Sequence, residues 1–187
     1  MTKRQISLEI SLGLLFTVVA IGANRLTMGT AVRGLNFGLF VALIAWIVFY
    51  PVSHPIRRGI FPLYLAAIIV QIVHFLEESV TGFATAFPAI YGDSWSQTRF
   101  ALFNIIWLVI MILAAFGVRR NMRFSLLIVW FTALVGGIGN GVLHLYLSYR
   151  SGAYFPGTIG ALVGLPVGVA LIVLLVSKAN KNNLVEE

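Results

Sequence analysis

The chain has 187 residues and a formal charge of +7; 59% of its residues are hydrophobic and only 10% are charged. A soluble domain carries about 25% charged residues, so we expect one integral membrane domain over residues 1–187, with no separate soluble unit. Cysteine is absent, which excludes disulfides, thiolate metal sites and CxxC redox chemistry.

The apolar blocks predict an all-α, polytopic membrane protein of about six transmembrane helices. The first block runs from roughly Ile6 to Ala23. Lys3 and Arg4 ahead of it, and "AIGA" at its end, suggest a signal peptide. Ile21 at the small-residue position and Glu9 inside the block favour an uncleaved helix instead. The second, Leu35 to Tyr50, is short and ends in "YPVSHP", where Pro51 and Pro55 stop a helix and His54 reads as a loop residue. The third spans Ile60 to Glu78. The stretch after it, "TGFATAFPAIYGDSWSQTR", is aromatic and poor in charge, as suits a re-entrant or interfacial cap. The fourth covers Phe100 to Val118 and the fifth Phe124 to Tyr146. In the fifth, "GGIGNG" surrounds Asn140 and reads either as close packing or as backbone opening beside a site. In the sixth, Thr158 to Ser177, Gly160, Gly164 and Gly168 recur every fourth residue, which predicts close helix approach.

The basic residues lie between these blocks, without the clustering and aromatic interleaving of a nucleic-acid surface, so the expected partner is the lipid bilayer and not nucleic acid. With six spans, one side holds Lys3, Arg4, Arg57, Arg58, Arg119, Arg120, Arg123, Lys178 and Lys181, and the other only Arg25, Arg33, Arg99 and Arg150. The excess of Lys and Arg predicts a multi-pass protein of the cell membrane with both termini cytoplasmic.

Polar residues gather on two of the spans. His74 lies about 21 Å along the third helix from Ile60, and Asn140 about 24 Å along the fifth from Phe124. Both helices run outward, so the two sets reach matching depth in the outer third of the membrane. Glu77 and Glu78 stand three and four residues after His74 and flank its face, with Gln71 one turn inward; Asn140 and His144 share a face of the fifth helix. Two imidazoles, two carboxyls and a carboxamide can thus meet. Such a set can bind a divalent ion through nitrogen and oxygen, or activate a water with an oxyanion donor beside it. The competing interpretation is a hydrogen-bonded network that locks helices together.

"HFLEE" at 74–78, "NGVLH" at 140–144 and "YFPG" at 154–157 resemble the three motifs of the HXXEE family, H-x-x-E-E, N-x-x-x-H and Y-x-P-G. The family consists of integral membrane proteins of undetermined function, and the resemblance covers about residues 60–177. It carries over His74, Glu77, Glu78, Asn140, His144, Tyr154, Pro156 and Gly157. It also implies a distant similarity to the CAAX prenyl proteases and bacteriocin-processing membrane proteases, which use E-E-x-x-x-R and a later His before Asn. Here Gly82 stands where that Arg falls, and Asn140 precedes His144.

Two functions are therefore expected from this set. The first is a membrane-embedded, metal-dependent hydrolase acting on a lipid, prenyl or peptide substrate near the outer leaflet. In it Glu77 or Glu78 activates water, His74 and His144 hold a metal or carry protons, and Asn140 donates to the oxyanion. The metal ligands are His74, Glu78 and His144, for one divalent ion such as Zn²⁺. Gln71, Tyr154, Pro156 and Gly157 contact the substrate. The second is a non-enzymatic protein that binds or transports a metal ion, proton or small ligand with the same cluster. Oligomeric state is not legible in the sequence.

Overall fold

The computed structural model describes residues 3–49 and 57–183. Among the described residues the chain is all-helical, with seven helices and no strand. They are α1 (Lys3–Met28), α2 (Arg33–Phe49), α3 (Arg57–Thr81), α4 (Phe83–Ala89), α5 (Gln97–Arg119), α6 (Ser125–Ser151) and α7 (Thr158–Asn183). The predicted stop at Pro51 and Pro55, and His54 beside it, lie outside the described residues.

Five helices are long and apolar enough to cross a membrane: α1, α3, α5, α6 and α7. The helices are those of a membrane protein. The second apolar block forms the 17-residue α2, at the lower limit of a span, about 17–25 residues. The expected six spans thus become five long helices and one shorter one. The segment expected as a cap folds in part into α4: Gly82, at φ 90°, turns the chain left-handed out of α3, and Phe83, Ala84, Phe87 and Pro88 are buried on the bundle. Ser96 then caps α5, its hydroxyl accepting from the Arg99 N–H.

Lipid tails are as apolar as leucine, so helices in a membrane associate through close packing and hydrogen bonds, not through hydrophobic burial. The bundle shows both. One cluster gathers Trp46, Tyr64, Leu127, Trp130 and Leu171. Within it the Trp46 indole donates to the Arg123 carbonyl at 3.0 Å, and the Tyr64 hydroxyl to that of Met111 at 3.1 Å. The other gathers Met28, Phe83, Phe87, Phe100 and Phe155 around α4. At that end Asp93 accepts from the Thr30 hydroxyl (2.6 Å) and the Ala31 N–H (2.8 Å), and the Trp95 indole donates to Met28 O (2.9 Å). These bonds tie the α1–α2 turn to the loop before α5.

The glycine-rich part of α6 is not regular. Ser125–Phe131 and Asn140–Ser151 are α-helical, but Thr132–Gly139 is a π-helix, whose i→i+5 bonding is rare and frequent at functional sites. Gly136 O accepts from the Gln71 amide of α3 at 2.9 Å. α7 packs against this segment: a Cβ on Gly137 would stand 2.6 Å from Gly168 Cα, and one on Gly168 2.7 Å from Ala133 O. The segment thus packs closely, as one reading of "GGIGNG" expects, and departs from regular α-helix just before Asn140.

Candidate functional site

α3 and α6 bring His74, Glu78, Asn140 and His144 together. His74, Glu78 and His144 are 0%, 4% and 1% exposed, so their polar atoms must find partners in protein. His74 Nδ1 lies 3.1 Å from Gly157 O, and Asn140 Nδ2 3.2 Å from His74 Nε2. Donation from Nδ1–H to the carbonyl and from the Asn140 amide to Nε2 satisfies both ring atoms in one neutral tautomer. Glu78 Oε1 sits between the imidazoles, 3.4 Å from His74 Nε2 and 3.3 Å from His144 Nε2. The rings lie nearly edge to face, their centroids 5.0 Å apart, and His144 stacks on Phe83 at 5.3 Å. Among the described residues His144 Nδ1 is buried with no hydrogen-bond partner.

The two neighbouring acids do different things. Glu77 turns out of the cluster: its Oε1 accepts from the Tyr154 hydroxyl (2.5 Å) and the Ile159 N–H (3.0 Å), and its Oε2 from the Gly160 N–H (2.5 Å). It therefore satisfies two of the orphan N–H groups at the start of α7, where a carboxylate also suits the helix dipole. The oxygens of Glu77 are thus engaged by the loop and the start of α7, whereas Glu78 alone of the two acids faces the imidazoles. Burial raises the pKa of Tyr154 and its bond to Glu77 adds to this, so the phenol remains the donor.

Gly157 closes the cluster from the loop side. Its φ of +88° suits glycine alone, and a Cβ there would come within 2.6 Å of both Glu78 Cγ and His144 Cε1. Ser148 and Thr158 hold that loop, their hydroxyls 2.7 Å apart while Ser148 accepts from Phe155 N. Tyr154, half-exposed, bonds Glu77 and accepts from the Gly157 N–H, and Pro156 stands beside it in the same loop. Gln71 bonds Gly136 O and also lines a cavity.

That cavity, about 420 Å³, lies between α2, α3, α4, α5 and α6. Glu78, Asn140 and Gln71 supply polar groups to it, and most of its remaining wall is apolar, much of it aromatic. Asn104 of α5 also lines it, a residue that sequence reasoning passed over; the available signal was a lone amide in "FALFNIIWLVI", since polar groups inside spans rarely lack a role.

His74, Glu78 and His144 each offer a ligand atom, and these atoms lie within 4.8 Å of one another. Two imidazole nitrogens and one carboxylate oxygen form the donor set of a catalytic zinc site with one position open. In a tetrahedral shell of about 2.0–2.1 Å bonds, neighbouring ligand atoms stand about 3.3–3.4 Å apart. The two contacts of Glu78 Oε1 with the imidazoles, at 3.4 and 3.3 Å, match two of the three edges. The Nδ1–H of His74 on the Gly157 carbonyl is the outer bond such a ligand needs, so an ion would compete with Asn140 for the Nε2 lone pair.

The comparisons agree with the motifs. A family model described as "Protein of unknown function with HXXEE motif" matches residues 65–171. No curated protein and no solved structure matches the chain, and the similarity to CAAX prenyl proteases and bacteriocin-processing enzymes finds no support there. All three motifs lie within the matched residues and converge on the buried His–Glu cluster, and the chain belongs to the HXXEE family.

Proposed function

We propose that His74, Glu78 and His144 bind one divalent cation such as Zn²⁺, and that the protein is a membrane-embedded hydrolase. The observation that carries this reading is the position of Glu78 Oε1, 3.4 and 3.3 Å from two imidazole Nε2 atoms at the edge of an apolar cavity. A bound zinc-type ion polarises a substrate oxygen and lowers the pKa of its water. Hydrolysis would then add the water's oxygen to the carbonyl or phosphoryl centre, break that centre's bond to the leaving atom and place the water's proton on the leaving atom. An ion held on His74 Nε2 would take the lone pair to which Asn140 now donates. The amide, which already lines the cavity, would then be free to donate to a developing oxyanion.

Glu77, Tyr154 and the N-terminal N–H groups of α7 hold the loop that carries the Gly157 carbonyl, and so fix the His74 ring. The alternative is a carrier or transporter built on the same cluster. Inward of Gln71, residues 60–70 of α3 offer only the Tyr64 hydroxyl, already bonded to Met111 O. That favours a pocket over a path.

The site lies in the outer half of the cell membrane, with both termini cytoplasmic, on the nine-to-four division of Lys and Arg. Single cysteines in "RRNMR" and "AIYGDSW" test this with an impermeant thiol reagent on intact cells. Labelling of the first and not the second overturns the orientation. For the metal, elemental analysis of detergent-purified protein is expected to find about one equivalent, lost in His144→Ala and Glu78→Gln. Absence of metal, together with no shift of the melting temperature on adding Zn²⁺ or Mn²⁺, defeats the metal reading.

A further inference from the structure

The cavity has three features that metal binding does not use. Its volume of about 420 Å³ falls within the roughly 300–1,000 Å³ of small-molecule sites. No Lys or Arg is among its lining residues, and Glu78 is its sole carboxyl. No side chain of the lining would pair with a buried phosphate or fatty-acid carboxylate, which is costly unless the ion proposed at Glu78 does so.

Asn104 supplies the second feature. It is 6% exposed, lines the cavity, and among the described residues its Nδ2 has no hydrogen-bond partner. A buried donor left unpaired costs about 1–3 kcal/mol, and an acceptor on a ligand removes that cost.

The third is the mouth. α2 and α6 meet closely where a Cβ on Gly38 would touch Val135 Cγ2. Towards the α4 end of that contact the lining residues Gly34, Phe37 and Gly139 are exposed. The opening lies between the apolar 17-residue α2 and the long apolar α6, a position that suits entry from lipid.

We infer that the cavity takes an uncharged, single-chain amphiphile from the bilayer through the gap between α2 and α6. Its chain lies on the aromatic wall of Phe75, Phe100, Phe103 and Trp107, and its ester or amide oxygen accepts from Asn104 Nδ2. The inference rests on the hydrolase reading only for the fate of the ligand, not for its binding.

The test is quenching of tryptophan fluorescence in detergent-purified protein, since Trp95 and Trp107 line the cavity. The probes are a dibrominated monoacylglycerol, the dibromoalkane of the same chain and the corresponding lysophosphatidate. Saturable quenching by the monoacylglycerol is expected, with a midpoint about tenfold higher in Asn104→Leu; the dibromoalkane should be insensitive to that change. Gly34→Phe, at a position with no atom within 4 Å of an added Cβ, should weaken every probe by obstructing the mouth. Each titration is repeated with EDTA and with Zn²⁺, which should leave the midpoint unchanged. Failure of the metal reading then leaves this one standing, and the reverse. Equal midpoints for monoacylglycerol and dibromoalkane, no shift in Asn104→Leu, or tighter binding of lysophosphatidate overturns the inference.

Discussion

The two sides of α6 use one glycine-rich stretch in opposite ways. Towards α7, Gly137 and Gly141 bring backbone against Gly168 and Leu165 with no room for a Cβ. Towards α2, Gly136, Gly139 and Asn140 border an open cavity. One side is filled to contact distance and the other is left hollow. In a bilayer, where burial drives little, the packed side supplies the cohesion that lets the other side stay open.

Substitutions on the packed side should have the largest effect. Gly137→Leu places side-chain atoms against the Gly168 backbone, which cannot rotate away as a side chain could. We expect a loss of about 3 kcal/mol or more, or no folded protein, read from thermal unfolding and size-exclusion profiles in detergent. Gly34→Ala, at the mouth of the hollow side, should be neutral or gain up to about 1 kcal/mol. Equal effects at the two positions would end the comparison.

The adjacent glutamates sharpen it further. Glu77→Gln leaves a carboxamide N–H₂ against donors at the start of α7 and should lower stability by about 1–2 kcal/mol, with metal retained in part. Glu78→Gln should lose the metal while the metal-free protein melts near the parent temperature. The reverse pattern, metal lost at 77 and kept at 78, would reassign the site.

A smaller change is expected at Asn104. Replacing a buried amide that has an unpaired N–H with a leucine of similar size should raise stability by about 1 kcal/mol. A fall in melting temperature would mean that the amide serves the fold and not a ligand.

The smallest effect belongs to Asp93. The hydrogen bond from Thr30, with the Ala31 N–H adding to it, holds this carboxyl below the ordinary aspartate value. Its contribution is therefore complete above the unfolded pKa of about 3.9 and disappears as pH falls through the lower folded value. The melting-temperature difference between the parent and Asp93→Asn should be constant from pH 8 to 5 and shrink below about pH 4. A difference unchanged at still lower pH would remove the ionised Asp93 from the account.

Much of this was legible in the sequence because apolar blocks and four-residue spacings are local quantities. The helices carrying His74 and Asn140 follow from block lengths, and their meeting follows from matched depth. The division of labour between Glu77 and Glu78 was not legible, because it depends on where the first turn of α7 docks, about eighty residues later in the chain. The glycines around Asn140 allowed both packing and opening, and composition does not state hydrogen-bond period. Asn104 reads as an ordinary interruption of an apolar run until the surrounding helices leave its Nδ2 without a partner.

The π-helical segment gives the site a phase as well as a composition. Asn140 and His144 follow Thr132–Gly139 directly, so their angular position around α6 is set by how many residues that segment contains. Inserting one more residue with the segment's winding unchanged would turn everything beyond it by roughly a quarter turn. The amide and the imidazole would leave His74 and Glu78 together, with every motif residue still present. Chain length between Phe131 and Asn140 is thus as much a determinant of the site as any side chain in it.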